Sequence, residues 1–310
     1  MLVMKAASRT LRTHRQHILA GSIIAVVALF GVLLIVRSQA ETPSFSLESE
    51  DGTTTAPANH ISDATASGGQ ATAFRTAAAA PLWSEEFDGP AGSLVNPAKW
   101  GYEVGYIRNN ELQYYTGNDA DNVSLDGAGH VKITLRKEAM GGKAYTSGSI
   151  NTKGKYTFQY GYLEARLQTP SGSGIWPAFW TLANCCWPGT GEIDVMEQIN
   201  TEAKTYFTIH AGPTHWGNGV PVAMVRDGAW HTYAARVTPG KVEFYLDGRL
   251  SHTVTKANVP AGGTWPFDTN PQYILLNVAM GGVWPGTPNG SAVLPASMTV
   301  DYVRVYPSNY

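Results

Sequence analysis

Three carboxylic acids lie within six residues of one another, at Glu192, Asp194 and Glu197. Side chains along a β-strand alternate between two faces, so Glu192 and Asp194 share a face. Glu197 is an odd number of positions from Glu192 and would point to the opposite face of a regular strand. One extra residue in a β-bulge restores the phase and brings all three acids to one open face. We therefore predict a bulged strand whose apolar Ile193 and Val195 face a core.

This acid cluster is suited to glycoside hydrolysis. Crowded carboxylates resist joint ionisation, so one can stay protonated while another is charged. Retaining hydrolysis uses that difference, because an ionised carboxylate attacks the anomeric carbon and a protonated one supplies the leaving oxygen with its proton. In this interpretation Glu192 is the nucleophile, Glu197 is the acid/base, and Asp194 orients and tunes both. The competing interpretation is an exposed acidic strand with no catalytic use.

Aromatic residues and histidines flank the acid strand in the sequence. Tryptophan faces stack on pyranose rings, and neighbouring polar groups bond the sugar hydroxyls. Core packing explains any single Trp equally well, but a whole set beside an acid cluster favours sugar binding. The flanking residues are Trp176, Trp180, Trp187, His210, His215, Trp216 and Trp284.

The elements that must position these residues are short strands. Runs that alternate apolar and polar residues at period two occur at 161–167, 242–246 and 300–306, among others. Asp247-Gly248 between two such runs is a strong hairpin signal. No amphipathic helix of useful length is evident after residue 40. Many short strands with Gly and Pro turns predict an all-β sandwich or barrel.

The composition favours a neutral ligand over nucleic acid. Charged residues make up 15% of the chain, and the formal net charge is -2, so no basic stripe is available to follow phosphates. Fifteen Tyr and nine Trp supply aromatic surface instead. The expected partner is a polysaccharide, with no nucleic-acid partner, and we expect a monomer.

The N-terminus predicts export. Four basic residues precede an uncharged run, Ile18–Val36, which Arg37 closes. The run is longer than a typical signal-peptide core and close to the length that spans a bilayer. Ser38-Gln39-Ala40 offers small residues to a signal peptidase, so residues 1–40 are either a cleaved signal or an uncleaved anchor. Either alternative places the rest of the chain outside the cell, secreted or tethered to the outer face of the membrane through this segment alone.

Composition also divides the exported part. Residues 41–80 are rich in Ser, Thr, Ala and Gly and are predicted to form a linker, and residues 81–310 form the predicted catalytic domain. The two cysteines, Cys185 and Cys186, are adjacent and cannot staple the fold. They form either a vicinal disulfide or two free thiols. No His or carboxylate lies near them at metal-ligand spacing.

Several segments together resemble glycoside hydrolase family 16, in its laminarinase-like branch of endo-β-1,3-glucanases. The resemblance extends from about Leu82 to Tyr306. The longer acid spacing, with Met196 inserted, resembles the bulged laminarinase and agarase type rather than the lichenases and xyloglucan transferases. The matching segments are Trp83–Phe87, Asn109–Thr116, Trp176–Trp180, Trp187-Pro188, Gly191–Glu197 and Asp301–Tyr306.

The resemblance implies a fold and a set of site residues. The fold would be a concanavalin-like β-jelly roll, a sandwich of two curved antiparallel sheets with a substrate cleft across the concave face. The acids take the roles already assigned to them, without a cofactor for catalysis. The implied sugar-binding residues are Asn110, Glu111, Trp176, Trp180, Trp187 and His210, to which we add Trp216. Many members carry a structural calcium, whose matching ligands here are Asp301 by its side chain and Glu86 and Gly129 by their carbonyls.

The resemblance also implies retention, β-1,3 linkage and activity that extends to mixed-linkage glucan. The residues themselves establish none of these. One alternative keeps the fold but acts on a galactan or as a transglycosylase. Another is a non-catalytic β-glucan-binding protein, although such proteins generally lose a catalytic acid. The Cys185-Cys186 pair and the loop 212–218 depart from the family pattern and leave the linkage preference open.

Overall fold

The computed structural model describes residues 58–62, 70–74 and 80–310, which fall into two compact units divided between Ala77 and Ala78. The described part of the first unit is an antiparallel pair, β1 (Ala58–Ser62) and β2 (Gln70–Phe74). Two paired strands therefore lie in the segment predicted to be a linker. The predicted export segment lies outside the described residues. Within those residues, no helix has the length and hydropathy needed to cross a membrane.

The regular secondary structure of the second unit is almost entirely β-strand. Its described helices are two short 3-10 turns, Lys256–Asn258 and Pro266–Asp268. The strands are β3 (Trp83–Glu85), β4 (Gly101–Tyr102), β5 (Gln113–Tyr115), β6 (Val123–Leu125), β7 (Val131–Leu135), β8 (Tyr145–Ser147), β9 (Ser149–Asn151), β10 (Gly161–Gln168), β11 (Ile175–Leu182), β12 (Glu192–Glu197), β13 (Lys204–Ala211), β14 (Trp216–Ala223), β15 (His231–Thr238), β16 (Lys241–Leu246), β17 (Arg249–Thr255), β18 (Tyr273–Met280) and β19 (Ala296–Tyr306).

These strands form two large antiparallel sheets. The order in one is β17-β16-β15-β10-β19-β7-β6, with β3 also pairing with β19. The order in the other is β14-β13-β12-β11-β18-β9-β4. Apolar side chains from both sheets meet in a single core, which makes the unit a sandwich, one of the two architectures that the sequence predicts. A short parallel pair, β5 and β8, accompanies the sheets.

The alternation along β13 shows how the sequence divides core from site. Phe207 and Ile209 are fully buried in the core, whereas Tyr206, Thr208 and His210 lie on the opposite face of the strand. Full burial of each such apolar side chain contributes about 1.5–3 kcal/mol. A slip of one residue would expose the apolar set and bury the polar one, so the register of the site strand is fixed by core packing.

The hairpin predicted at Asp247-Gly248 is confirmed. Leu246 at the end of β16 pairs with Arg249 at the start of β17, which leaves a two-residue loop. The φ angles are +50° at Asp247 and +73° at Gly248, as a type I′ turn requires at both central positions.

Candidate active site

The acid motif forms β12, in the seven-stranded sheet, and it contains the predicted bulge. Two consecutive residues of β11 pair with Met196 and Asp194, so Val195 is the extra residue. The pairing with β13 shifts over the same stretch. Ile193 and Val195 are buried in the core, as predicted, and Met196 joins them there. The bulge thereby leaves Glu192, Asp194 and Glu197 together on the outer face.

Three neighbouring strands hold the other side chains of the site against these acids. On β13, His210 lies opposite Glu192 and Tyr206 lies opposite Glu197. Strand β11 contributes Trp176 and Trp180 on the other side of β12. Strand β18, which pairs with β11, contributes Asn277. Hydrogen-bonded strands lie about 5 Å apart, so side chains on neighbouring strands can contact the acids directly.

A cleft of about 570 Å³ lies on this face of the sheet. Its described lining is rich in aromatic rings and places the three acids near the middle. The lining residues are Arg108, Asn109, Glu111, Trp176, Ala178, Trp180, Leu182, Trp187, Glu192, Asp194, Glu197, Tyr206, Thr208, His210, His215, Asn277 and Trp284.

Hydrogen bonds fix the tryptophans relative to the acids. The indole N–H of Trp176 donates to Glu197 Oε1 at 3.0 Å, and that of Trp180 donates to Asn277 Oδ1 at 2.7 Å. Trp187 lines the cleft beside Glu192. Trp176 also meets the edge of Trp284, with ring centroids 5.4 Å apart. Aromatic rings therefore lie on both sides of the acids, near Trp187 at one end and near Trp284 at the other.

The three acids have raised pKa values. Burial, and then the charge of Asp194, raises the pKa of Glu192 to about 8. Burial raises the pKa of Asp194 to about 7, although its hydrogen bond with Glu192 opposes the rise. Burial and the charges of both neighbours raise the pKa of Glu197 well above its ordinary value. These effects favour the protonated form of Glu197, the form that a general acid needs, and the first negative charge belongs to the Glu192–Asp194 pair.

A histidine pair borders the acids. Nε2 of His210 lies 3.3 Å from Asp194 Oδ2, and Nδ1 of His210 lies 2.9 Å from His215 Nε2. The two imidazoles stack with centroids 5.0 Å apart, and His215 also contacts the ring of Trp187 at 5.1 Å. His215 belongs to the loop that the sequence leaves unassigned.

Two predicted sugar-binding residues lie outside the cleft. Trp216 begins β14, is partly buried, packs against the core and is not among the residues that line the cleft. Asn110 is exposed, and its side-chain oxygen accepts a hydrogen bond from the hydroxyl of Tyr106. Its neighbours Asn109 and Glu111 line the cleft. The other predicted sugar-binding residues, Trp176, Trp180, Trp187 and His210, all line the cleft.

Sequence reasoning did not identify Arg108, Tyr206 or Asn277 as site residues. Arg108 stacks over Trp180 at 4.9 Å and forms a short ion pair with Glu103. Two of the three had a signal in the sequence. Asn277 interrupts the apolar run of β18, and Tyr206 shares the alternating face of β13 with His210.

Glu111 occupies a polar pocket at the side of the cleft. The residue is 2% exposed, and its carboxylate accepts hydrogen bonds from Asn109, Gln113 and Tyr115. Burial raises the pKa of Glu111, and the hydrogen-bond donors and the charge of Arg108 oppose this rise. Such a fully bonded carboxylate is suited to holding the shape of the wall rather than to exchanging protons.

The structure resolves the choice left open for the cysteines, because Cys185 and Cys186 are joined as a vicinal disulfide. Both residues are exposed in the loop between β11 and β12, directly before Trp187. The ring of Trp187 is 52% exposed at the rim of the cleft, where a ligand can cover it.

The residues predicted to bind calcium meet at one place on the other sheet. Strand β3 pairs with β19 as far as Val303, and β7 pairs with it from Val300. Glu86 directly follows β3 and Gly129 lies two residues before β7, so both are near the stretch of β19 that contains Asp301. A Cβ placed on Gly129 would lie 4.0 Å from the Glu86 carbonyl oxygen, so the backbone leaves room there, although one Asp301 oxygen bonds Arg166 at 2.5 Å. The donor set of carbonyl and carboxylate oxygens fits Ca²⁺.

Two family models match the chain. The model described as glycosyl hydrolases family 16 matches residues 110–304. A second, of the β-glucan synthesis-associated proteins SKN1/KRE6/Sbg1, matches residues 17–194 and overlaps the first from residue 110.

Individual relatives agree with the first model. The chain is 35% identical to a β-glucanase of Rhodothermus marinus over 73% of its own length and 84% of that protein's. It is also 35% identical to a keratan-sulfate endo-1,4-β-galactosidase of Sphingobacterium multivorum, over 73% of the chain and 54% of that protein. The laminarinase catalytic domain of Thermotoga maritima superposes with a TM-score of 0.67 at 33% identity, covering 74% of this chain and 98% of the other.

Proposed function

The chain belongs to glycosyl hydrolases family 16, and from that premise we propose that it is a retaining, endo-acting hydrolase of β-1,3-glucan. Its fold is the β-jelly roll predicted from the sequence. The observation that carries the proposal is the set of three acids on the outer face of β12, where burial and the neighbouring charges favour the protonated form of Glu197.

The proposed reaction has two steps. In the first, a carboxylate oxygen of Glu192 bonds to the anomeric carbon while the glycosidic bond breaks and the proton of Glu197 passes to the leaving oxygen. In the second, Glu197 takes a proton from water, the water oxygen bonds to the anomeric carbon, and Glu192 leaves as a carboxylate. The two displacements together retain the anomeric configuration. Trp176, bonded to Glu197 at 3.0 Å, orients the acid for both proton transfers.

The cleft supports cleavage within a chain. Trp187 and His215 lie on the Glu192 side of the acids, and Trp176 and Trp284 lie on the Glu197 side. Rings on both sides of the bond to be cut can stack on sugars of both products. Action on mixed-linkage glucan belongs to the same proposal.

A galactan is the second candidate substrate, since one relative is named a keratan-sulfate endo-galactosidase. Sulfate esters are bound by cationic side chains. Among the described residues that line the cleft, Arg108 is the only Lys or Arg, and its charge is already paired with Glu103. The cleft therefore favours a neutral glucan.

A substrate panel tests the proposal. Reducing ends released from laminarin, lichenan, agarose, xyloglucan and keratan sulfate should be greatest with laminarin, and NMR should show the β-anomer formed first. Preference for keratan sulfate or agarose would replace the glucan assignment, and an α-anomer formed first would refute retention.

The Glu192→Gln variant separates an enzyme from a non-catalytic glucan-binding protein. We expect this variant to bind laminarin oligosaccharides in calorimetry but to release no reducing ends. Turnover at the wild-type rate would show that Glu192 is not the nucleophile, and wild-type protein that binds laminarin without cleaving it would favour the binding-protein alternative.

Calcium and export remain part of the proposal. Calcium at Glu86, Gly129 and Asp301 would bind the folded state and raise its melting temperature. We expect chelation to lower the melting temperature of the wild type and calcium to have no effect on the melting temperature of Asp301→Asn.

The proposal of export is supported by the hydrophobic run 18–36 and its basic flank. Fractionation of cells and medium is the test.

A further inference from the structure

The side chains of Glu192, Asp194 and His210 present three ligand atoms that all lie within 4.8 Å of one another. One atom of this set is unusual. Asp194 Oδ2 is buried and has no hydrogen-bond partner, although His210 Nε2 is 3.3 Å away. A buried carboxylate oxygen without a partner is costly, and it needs a cation or a donor in the space that it faces.

The spacing fits a specific kind of cation. Zinc bonds of about 2.0–2.2 Å at a tetrahedral angle hold two ligand atoms about 3.3–3.5 Å apart. The 3.3 Å between His210 Nε2 and Asp194 Oδ2 equals one edge of such a tetrahedron. The third atom, on Glu192, lies within 4.8 Å of the other two, and a rotation of its side chain would bring it to the remaining corner of a tetrahedral face.

We propose that Glu192, Asp194 and His210 form a binding site for Zn²⁺ in the cleft. One imidazole nitrogen with two carboxylate oxygens is a ligand set that zinc accepts, and a fourth position stays open to water. Calcium and magnesium prefer oxygen ligands alone, so this site selects against them.

His215 supports the site from behind. When His210 donates its Nδ1 proton to His215 Nε2 at 2.9 Å, the lone pair of His210 Nε2 is directed towards Asp194. A ligating histidine is usually held in this way by a partner on its second nitrogen, and loss of the partner weakens metal binding by about 10–100-fold. Contact with Trp187 holds His215 in position.

Direct binding is the test, and it does not depend on hydrolase activity. Full-length protein freed of metal by a chelator is titrated with zinc chloride against a chromophoric zinc indicator. We expect one site that is lost in His210→Gln and weakened at least tenfold in His215→Phe, which preserves the stacked ring but removes the Nδ1 partner. Other histidines of the chain are common to all variants, so the difference reports the cleft site.

His231→Gln is the matched control. Its Nδ1 lies 2.8 Å from Asp247 and its Nε2 lies 3.9 Å from Asp227, yet it is far from the cleft lining. This variant should bind zinc like the wild type. The inference is overturned if the wild type binds no zinc in the micromolar to millimolar range, or if His210→Gln binds as tightly as the wild type while circular dichroism shows both folded.

A second arm rests on the proposed function. Zinc bound to Glu192 occupies the nucleophile, so it should inhibit laminarin hydrolysis competitively, with a constant that matches the direct binding constant. If zinc binds at the cleft in the titration but the protein hydrolyses no glucan, the metal site stands and the proposed function fails. Inhibition by zinc that persists unchanged in His210→Gln would refute the site.

Discussion

Replacing Glu192 with Gln should stabilise the protein at neutral pH, even though it removes the proposed nucleophile. Burial and the charge of Asp194 raise the pKa of Glu192 from an ordinary value of 4.5 to about 8. At pH 7 the Glu192–Asp194 pair of the folded chain therefore binds more protons than the same two residues bind in the unfolded chain. Stability falls as pH rises between these two values, because the unfolded state binds fewer protons than the folded state there.

The size of the effect follows from the gap in pKa. Each pH unit above 4.5, up to about 8, costs about 1.4 kcal/mol, so the penalty at pH 7 has an upper limit of about 3 kcal/mol. Asp194 shares the ionisation, which lowers the expected gain for Glu192→Gln to about 2 kcal/mol. At pH 5 the same arithmetic leaves less than about 1 kcal/mol.

Urea unfolding of the full chain at pH 5, 6, 7 and 8 measures this gain as the difference in unfolding free energy between variant and wild type. Glu202→Gln is the control. Tyr206 and Lys204 lower the pKa of Glu202, so this substitution should not increase the free energy of unfolding at higher pH. A Glu192→Gln difference that stays constant from pH 5 to pH 8, or that is negative at pH 7, would refute the electrostatic account of the cluster.

Three other predictions concern catalysis. Asp194→Asn should lower kcat and move the acidic limb of the kcat/KM profile to lower pH. Burial contributes most to the raised pKa of Glu192, and the charge of Asp194 contributes next, so removing that charge should lower this pKa. An acidic limb that does not move would contradict the prediction. Trp176→Phe should move the alkaline limb to higher pH, because the indole hydrogen bond opposes the rise in the pKa of Glu197. Rates of laminarin hydrolysis over a series of pH values measure the position of this limb. A shift to lower pH would count against the role of the contact. Glu197→Ala should lose laminarin hydrolysis but act on aryl glycosides with good leaving groups and recover rate with azide, since only proton transfer is missing; without rescue on any such substrate, Glu197 is not the acid/base.

Much of the site was predictable because its main signals are local. The odd spacing between Glu192 and Glu197 requires a bulge if the acids are to converge, and the structure places that bulge at Val195. Asp247-Gly248 likewise predicted a two-residue hairpin. In both cases the backbone geometry depends on a few consecutive residues, so the sequence contains the whole cause.

The features that the sequence left undecided are contacts between distant segments. Trp216 resembles the sugar-stacking tryptophans in sequence, yet its ring packs against the core. Arg108 contacts Trp180 from a loop more than seventy positions earlier in the chain. No periodicity or motif in the sequence predicts that contact. Local patterns do not state which face of a strand meets which loop, because that depends on how the two sheets stack.

The sequence by itself determined the acid strand, its bulge, the all-β architecture and the family. Those features follow from the two-residue period of strands and from motifs of adjacent residues. Only the tertiary structure decided that His210 and His215 stand beside Asp194, that one oxygen of Asp194 is buried without a partner, and that the pKa values of all three acids are raised. Burial and electrostatic coupling depend on distances between side chains from different strands, and those distances exist only once the sheets have packed.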